Sequence, residues 1–463
     1  MAVWETAPTF FDKESLNLGP DKTKMLTKFF GGRKKVMQSI LFCLYPEMSG
    51  YNATIKMAKY LQQKGYQIYY VGFPLFRKYV EAQGFQFLEF ELDNDFSKLQ
   101  ELLKQKKFRD ILYLYKQASL QVEEYIKKHS IRLMLTDSLI NIIGLAGLKS
   151  GINVITLFPN FASCMNFISP PVTTDFVPDL SLASKTRVLF AWTKVWLKRV
   201  IPALFVSRII VPGILKNYTR SVKLKFKTSE FFLPQINFPH IVLGPAKLDF
   251  PNSFGRQYLD LTVDINRKED VISWKFDKNK KLILCSLGTH SGSYRWSANF
   301  FQKMIRLSFL HSEWQVVLHV GDSQCNLEPE AIPNNCYVST RIPQITLLKK
   351  ADLMITHGGM QSVNECIATG VPMIVFPCER DQPGNAARIV YHGLGLKGDI
   401  ARTTPDKIKK MIQEILADPK YSERIKDIRK RIEENNDFNG AIETIEKLIR
   451  MKHATFCKNL GKI

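Results

Sequence analysis

No two of the eight cysteines (Cys43, Cys164, Cys285, Cys325, Cys336, Cys366, Cys378 and Cys457) form a CxxC pair, and most sit inside apolar runs. That spacing excludes a zinc site and a disulfide framework, and they read as small hydrophobes. A long apolar run is also missing: no segment reaches the ~18 uncharged apolar residues that a spanning helix needs. The opening MAVWETAPTFFDKESLNLGPDKTK has early acidic residues and no uninterrupted apolar core, so it does not read as a secretory leader. A reducing cytoplasm is the expected compartment. Acid is scarce, with 43 Asp and Glu against 65 Lys and Arg, a formal charge of +22. Such an excess suits nucleic acid, an anionic membrane face or an acidic substrate. Zinc-finger spacing, an RNP-like sequence and a recognition helix are all absent, which argues against nucleic acid. A phosphate-rich ligand and peripheral contact with an anionic membrane remain.

With 463 residues and 45% hydrophobic content, the chain exceeds the usual single-domain size, and two domains are expected. The most informative stretch runs from Arg341 to Gly395. Ala351 to Thr356 is a short apolar run of strand character. It is cut by His357, Gly358 and Gly359, and a helix-compatible segment from Gln361 to Ala368 follows. Adjacent glycines at a helix mouth remove the side chains that would hold a ligand away from the first free N–H groups, where the helix dipole adds positive potential. Such a mouth suits a phosphate. Ser362 and Glu365 share a helix face, with Gln361 and His357 at its start, and Glu365 can take both hydroxyls of a vicinal diol. Val371 to Phe376 reads as the next parallel strand. Glu379, Asp381 and Gln382 fall just past its carboxyl end, where open α/β sheets place ligands.

These pieces closely resemble the donor-binding signature of nucleotide-sugar glycosyltransferases of the GT-B fold, particularly the UDP-glycosyltransferase superfamily and its macrolide and zeaxanthin glucosyltransferase branch. The matching residues are Pro343-Gln344, the spacing of Leu347, Leu348, Ala351 and Asp352, THGG with Ser362 and Glu365, GVP at Gly370 to Pro372, and Asp381, Gln382, Asn385 and Ala386. The resemblance implies an α/β chain of two facing Rossmann-like domains with a cleft between them. By it, His357, Gly358, Gly359 and Ser362 bind a diphosphate, Glu365 a ribose, Ile342 and Gln344 a uracil, and Asp381 with Gln382 the donor sugar. Gln361 stands where the family often has Asn. Gly288 and Thr289, at the end of the strand-like LILCSLGT, resemble the loop that approaches the donor phosphates. The UDP-sugar is then a co-substrate, with no cofactor and no metal. Asp93-Asn94-Asp95 has the DxD form of metal-dependent glycosyltransferases but reads as a polar loop.

The first half departs from the family. Val36 to Leu44 reads as a strand, Pro46 to Asn52 as a loop, Ile55 to Lys64 as a helix and Gln67 to Val71 as a strand. Members carry a Gly-His pair in that loop, the histidine deprotonating the acceptor. Here the pair falls on Ser49 and Gly50, or on Gly50 and Tyr51, and none of these is a base at neutral pH. Glu47 in the loop and Asp137, which ends the strand-like run Ile131 to Thr136, are the candidate replacements. Asp137 serves equally as a helix cap. Residues 187 to 216 read as acceptor-domain helices packed on the core, with an interfacial lipid-facing patch as the alternative. The expected organisation is an extension at 1–34, an acceptor domain at 35–245, a linker at 246–280, a donor domain at 281–435 and a tail at 436–463 crossing back. The expected activity is metal-independent inverting transfer of a hexose from a UDP-sugar to a lipophilic small-molecule hydroxyl. A donor-binding pseudoenzyme or auxiliary subunit, and a UDP-sugar epimerase or hydrolase, are the alternatives.

Overall fold

Apolar runs such as SILFC and LILC are continuous rather than alternating, as strands buried on both faces of a parallel sheet require. In the computed structural model they are the central strands of two such sheets. It describes residues 38–92, 102, 105, 107–161, 168–179, 181–201, 226–227, 235–251, 257–321 and 332–460. The expected extension at 1–34 and the Asp93-Asn94-Asp95 loop lie outside the described residues.

The first sheet has seven parallel strands: β1 (Ser39–Cys43), β2 (Gln67–Gly72), β3 (Gln86–Glu89), β4 (Ile131–Asp137), β5 (Asn153–Phe158), β6 (His240–Val242) and β7 (Gln257–Tyr258). Their spatial order is β3-β2-β1-β4-β5-β6-β7. Helices α1 (Met48–Gln63), α2 (Pro74–Ala82), α3 (Phe108–Lys128) and α4 (Gly144–Lys149) are among its connections, and α5 (Leu182–Val195) follows β5. The second sheet contains β8 (Lys281–Ser286), β9 (Trp314–His319), β10 (Cys336–Ser339), β11 (Leu353–Thr356), β12 (Met373–Val375) and β13 (Gly395–Lys397). Its order is β10-β9-β8-β11-β12-β13, again parallel throughout. Helices α6 (Ser297–Leu310), α7 (Gln344–Leu348), α8 (Met360–Thr369), α9 (Gln382–Tyr391), α10 (Pro405–Ala417) and α11 (Lys420–Glu433) accompany it.

Each sheet therefore reverses its strand order once near the centre, between β1 and β4 in the first and between β8 and β11 in the second. Those reversals open crevices at the carboxyl ends of the strands, the standard ligand position in doubly wound sheets. The last helices, α12 (Asp437–Arg450) and α13 (His453–Leu460), return to the first sheet. Ile442, Ile445, Leu448 and Ile449 recur at helical spacing and join its core. Asn153 Nδ2 donates to the carbonyls of Leu448 (2.7 Å) and Met451 (2.9 Å), satisfying the end of α12. Between the sheets, the Arg388 guanidinium is held by Asp249 at 2.6 Å and lies over the rings of Phe161 and Phe250, each at 4.5 Å. It is buried, and the pair satisfies a charge that would otherwise be stranded.

Two expectations change. Pro46 to Asn52 is not a free loop, because α1 begins at Met48 and takes Gly50 and Tyr51 into its first turn. Tyr51 is fully buried, stacked on Phe76 at 4.4 Å and beside Tyr70 at 5.9 Å, and that burial draws the segment into the helix. The run from 187 packs on the core with only one face of α5; the residues beyond 201 lie outside the described residues as far as 225.

Candidate active site

The crevice of the second sheet is shaped by backbone. β8 turns out at Gly288 (φ 86°), and β11 ends in His357, Gly358 (φ 83°) and Gly359 before α8 starts. Positive φ at Gly288 and Gly358 is strained for any other residue. Space is as restrictive: a Cβ on Gly288 would lie 2.8 Å from His357 Cε1, and one on Gly359 2.8 Å from His357 Nε2. The two glycines make the slot in which the imidazole sits. Burial, opposed by a hydrogen bond to the Ser286 carbonyl, holds the His357 pKa down at about 4, so the ring is neutral at physiological pH. The first backbone bond of α8 runs from Val363 N to Gly359 O at 3.1 Å, and no side chain caps the helix. The N–H groups of Met360, Gln361 and Ser362 thus have no intrahelical acceptor and can take an anion.

Around this mouth the structure brings together Gln344, Gln361, Ser362 and Glu365. Gln344 Nε2 donates to Ser362 Oγ (3.2 Å) and to Glu365 Oε2 (2.5 Å), while Gln361 Nε2 donates to Glu365 Oε1 (3.1 Å). Glu365 differs from expectation in one respect: it is buried and already paired with Arg267 at 2.5 Å. Glu269 holds the same guanidinium at 2.8 Å and accepts from the Ile345 and Thr346 N–H groups at the start of α7. A diol at Glu365 competes with Arg267 and Gln361 at Oε1 and with Gln344 at Oε2. Ile342 is half-buried against the second core and Thr289 is exposed.

Asp381 and Gln382 follow β12 at the start of α9. Asp381 accepts from Asn385 Nδ2 at 2.9 Å, and burial raises its pKa. Gln382 does not present a free amide. Its Oε1 takes the N–H groups of Cys378 (2.8 Å) and Glu379 (3.0 Å), and its Nε2 donates to the Tyr294 hydroxyl (3.0 Å). It shapes the loop after β12, a task that an amide beside a strand end performs as readily as gripping a sugar.

At the first sheet's crevice, Asp137 ends β4 and Glu47 follows β1. Asp137 caps the following turn, its Oδ1 accepting from Leu139 N at 2.8 Å. Burial nonetheless pushes its pKa up to about 7, against hydrogen bonds from Leu139, Tyr45 and Ser138, with the Glu47 charge adding to the rise. It is both a cap and a carboxyl poised near neutrality. Gly50 adjoins it: a Cβ there would lie 3.8 Å from Asp137 Oδ2, with Tyr45 O next at 4.0 Å. A Cβ is accommodated there at ordinary van der Waals distance. Tyr51, being core, cannot face an acceptor. Glu47 is bound to Arg380 Nη1 at 2.6 Å, which links the loop after β1 to the loop after β12. Arg380, Arg267 and Glu269 were invisible to sequence reasoning. Each sits in a polar loop, and Arg380 has φ 58°, which no local pattern announces. Among the described residues, no group of three His, Cys, Asp or Glu is placed to hold a metal ion.

Residues 308–448 match the family described as erythromycin biosynthesis protein CIII-like, C-terminal domain. The chain is 25% identical over 410 residues to the NDP-glycosyltransferase YjiC of Bacillus licheniformis, covering 86% of this chain and 94% of that protein. It is 30% identical over 173 residues to the zeaxanthin glucosyltransferase of Pantoea ananas, covering 37% of this chain and 39% of that one. The solved structure of the glycotransferase of kitacinnamycin superposes with a TM-score of 0.68 at 20% identity, covering 89% of this chain and 99% of the other. Two doubly wound sheets in this order, a THGG helix mouth at the second reversal and similarity to glycosyltransferases along most of the chain agree: the protein is a glycosyltransferase with the GT-B fold, similar to members of the UDP-glycosyltransferase superfamily.

Proposed function

We propose that this enzyme transfers a hexose from a UDP-sugar to a hydroxyl of a lipophilic small molecule, such as a terpenoid, carotenoid or polyketide, in a single displacement that inverts the anomeric carbon. The observation that carries the reading is the glycine-lined helix mouth at His357–Gly359, tied through the Arg380–Glu47 pair to the crevice that holds Asp137. The acceptor O–H gives its proton to Asp137, its oxygen bonds to the sugar C1, and the C1–O bond to the diphosphate breaks, the electron pair leaving with UDP. The free N–H groups of α8 stabilise that leaving charge as preorganised dipoles, in the place a cation would take. Asp137 is the better base because Glu47 is held by Arg380, and a pKa near 7 balances availability of the anion against its basicity. The zeaxanthin glucosyltransferase of Pantoea ananas takes its name from a carotenoid, which supports a lipophilic acceptor.

The test is incubation with UDP-glucose and a panel of terpenoid, carotenoid and phenolic alcohols, with mass spectrometry of the products. A glycoside of a lipophilic acceptor is expected; glycosylation of peptides or sugars alone would overturn the acceptor class. A second reading, a donor-binding subunit without turnover, is favoured by the absence of a basic side chain at Ser49, Gly50 and Tyr51 and by Arg267 on Glu365. It predicts UDP binding with no UDP release against any acceptor.

A further inference from the structure

Between Asp179 and Glu230 the sequence has eleven lysines and arginines and no acidic residue. Helix α5 lies at its start and continues as a wider turn through Trp196–Val200. One stripe of it, Ser184, Val188, Trp192 and Val195, is buried, and Trp192 Nε1 donates to the Ser169 carbonyl at 3.0 Å. An ordinary surface helix turns polar side chains outward on the opposite face. Here Leu182 is 79% exposed, Phe190 74% and Leu197 58%. At ~100° per residue these three fall within one arc, with Leu189 and Trp196 along one edge of it. Lys194, Arg187 and Lys198 line the other edge, and Lys185 lies beyond Trp196. Single exposed apolar residues are unremarkable, but five on one face, with only Thr186 and Thr193 between them and cations along both edges, form a patch.

We infer that this face of α5 docks on an anionic lipid surface, with Phe190, Leu182 and Leu197 entering the acyl region and the flanking lysines meeting headgroup phosphates. A helix that carries aliphatic and aromatic residues on one face and bare cations beside them suits the boundary between hydrocarbon and headgroup. Trp196 has the amphipathic ring that settles at that boundary. Phe190 and Val195 share a groove of about 700 Å³ with Lys194 and Lys198, so an acyl chain and a phosphate find partners side by side. A second copy of the chain fits poorly, since two such faces would oppose cations to cations. None of the residues on this face is among those assigned to the donor or to the base, so lipid docking and sugar transfer can be measured independently.

The full chain is sedimented with vesicles of phosphatidylcholine, with and without phosphatidylserine. The expected result is binding to the serine-containing vesicles that weakens as salt rises, and little binding to the others. Phe190→Asp with Leu197→Asp, and separately Lys194→Glu with Lys198→Glu, are each expected to lower the bound fraction about tenfold or more, leaving the circular dichroism spectrum unchanged. Either variant pair is exposed, so folding does not confound the reading. Absence of vesicle binding by the natural sequence, or binding by either variant equal to that of the natural sequence, overturns the inference. So does self-association that Phe190→Asp abolishes in a protein that ignores vesicles.

Discussion

At the crevice of the second sheet the chemistry on offer is backbone N–H and one imidazole, slotted between glycines. At the equivalent place in the first sheet it is a single carboxyl, Asp137, beside a buried glycine whose Cβ position is not blocked. A site built from backbone cannot be altered without breaking the turn that makes it, since Gly358 has φ 83° and a Cβ there would meet Val375 Cγ1 at 2.6 Å. A site built from side chains can change at one position while the fold is untouched, and Gly50, beside Asp137, is such a position in the proposed reading.

The sharpest division between the two crevices comes from Asp137→Asn, which is expected to lower kcat by about 100- to 10,000-fold while UDP affinity stays within about twofold. The pH profile carries the same assignment: the base is the ionised form, so kcat/KM should rise with pH and level off above about 7. Stability should move the other way. The folded pKa of Asp137 lies above its unfolded value, so the native state binds the extra proton and Asp137's contribution to stability falls as pH rises from about 4 to 7. Denaturant midpoints of natural and Asp137→Asn protein across that window test it, the variant losing this slope.

On the donor side, His357→Ala removes the ring from its slot and should weaken UDP binding about ten- to a hundredfold, with a smaller change in the acceptor KM. Gly50→His would place an imidazole beside Asp137 and is expected to raise kcat about tenfold, a gain that disappears when Asp137→Asn is added. The smallest effect is expected for Glu47→Gln. Its ion pair with Arg380 is partly exposed, and kcat should change by less than about fivefold. A larger loss there than at Asp137 would exchange the roles of the two carboxyls.

The same contrast explains what the sequence disclosed. The parallel strands were legible because burial on both faces leaves uninterrupted apolar runs, and the glycine turn before α8 because turn, helix and neighbouring amides are contiguous in the chain. Asp137 was legible as a strand end that could cap or act as a base, and the cap is formed. The pairings were not legible: Arg380 meets Glu47 across 333 residues and Arg267 meets Glu365 across 98. No local periodicity selects one polar loop residue over its neighbours for such a contact. Tyr51 misled for a related reason, since a tyrosine two residues beyond Ser49 looks exposed until Phe76 and Tyr70 are seen to enclose it.

The account rests on a diphosphate docking where the glycine turn meets α8. Isothermal titration of UDP into the natural protein and into Gly359→Val measures this directly, because the added side chain fills both the mouth and the His357 slot. Saturable heat with the first and none with the second is predicted. No heat with the natural protein, or equal affinity in the two, would contradict it.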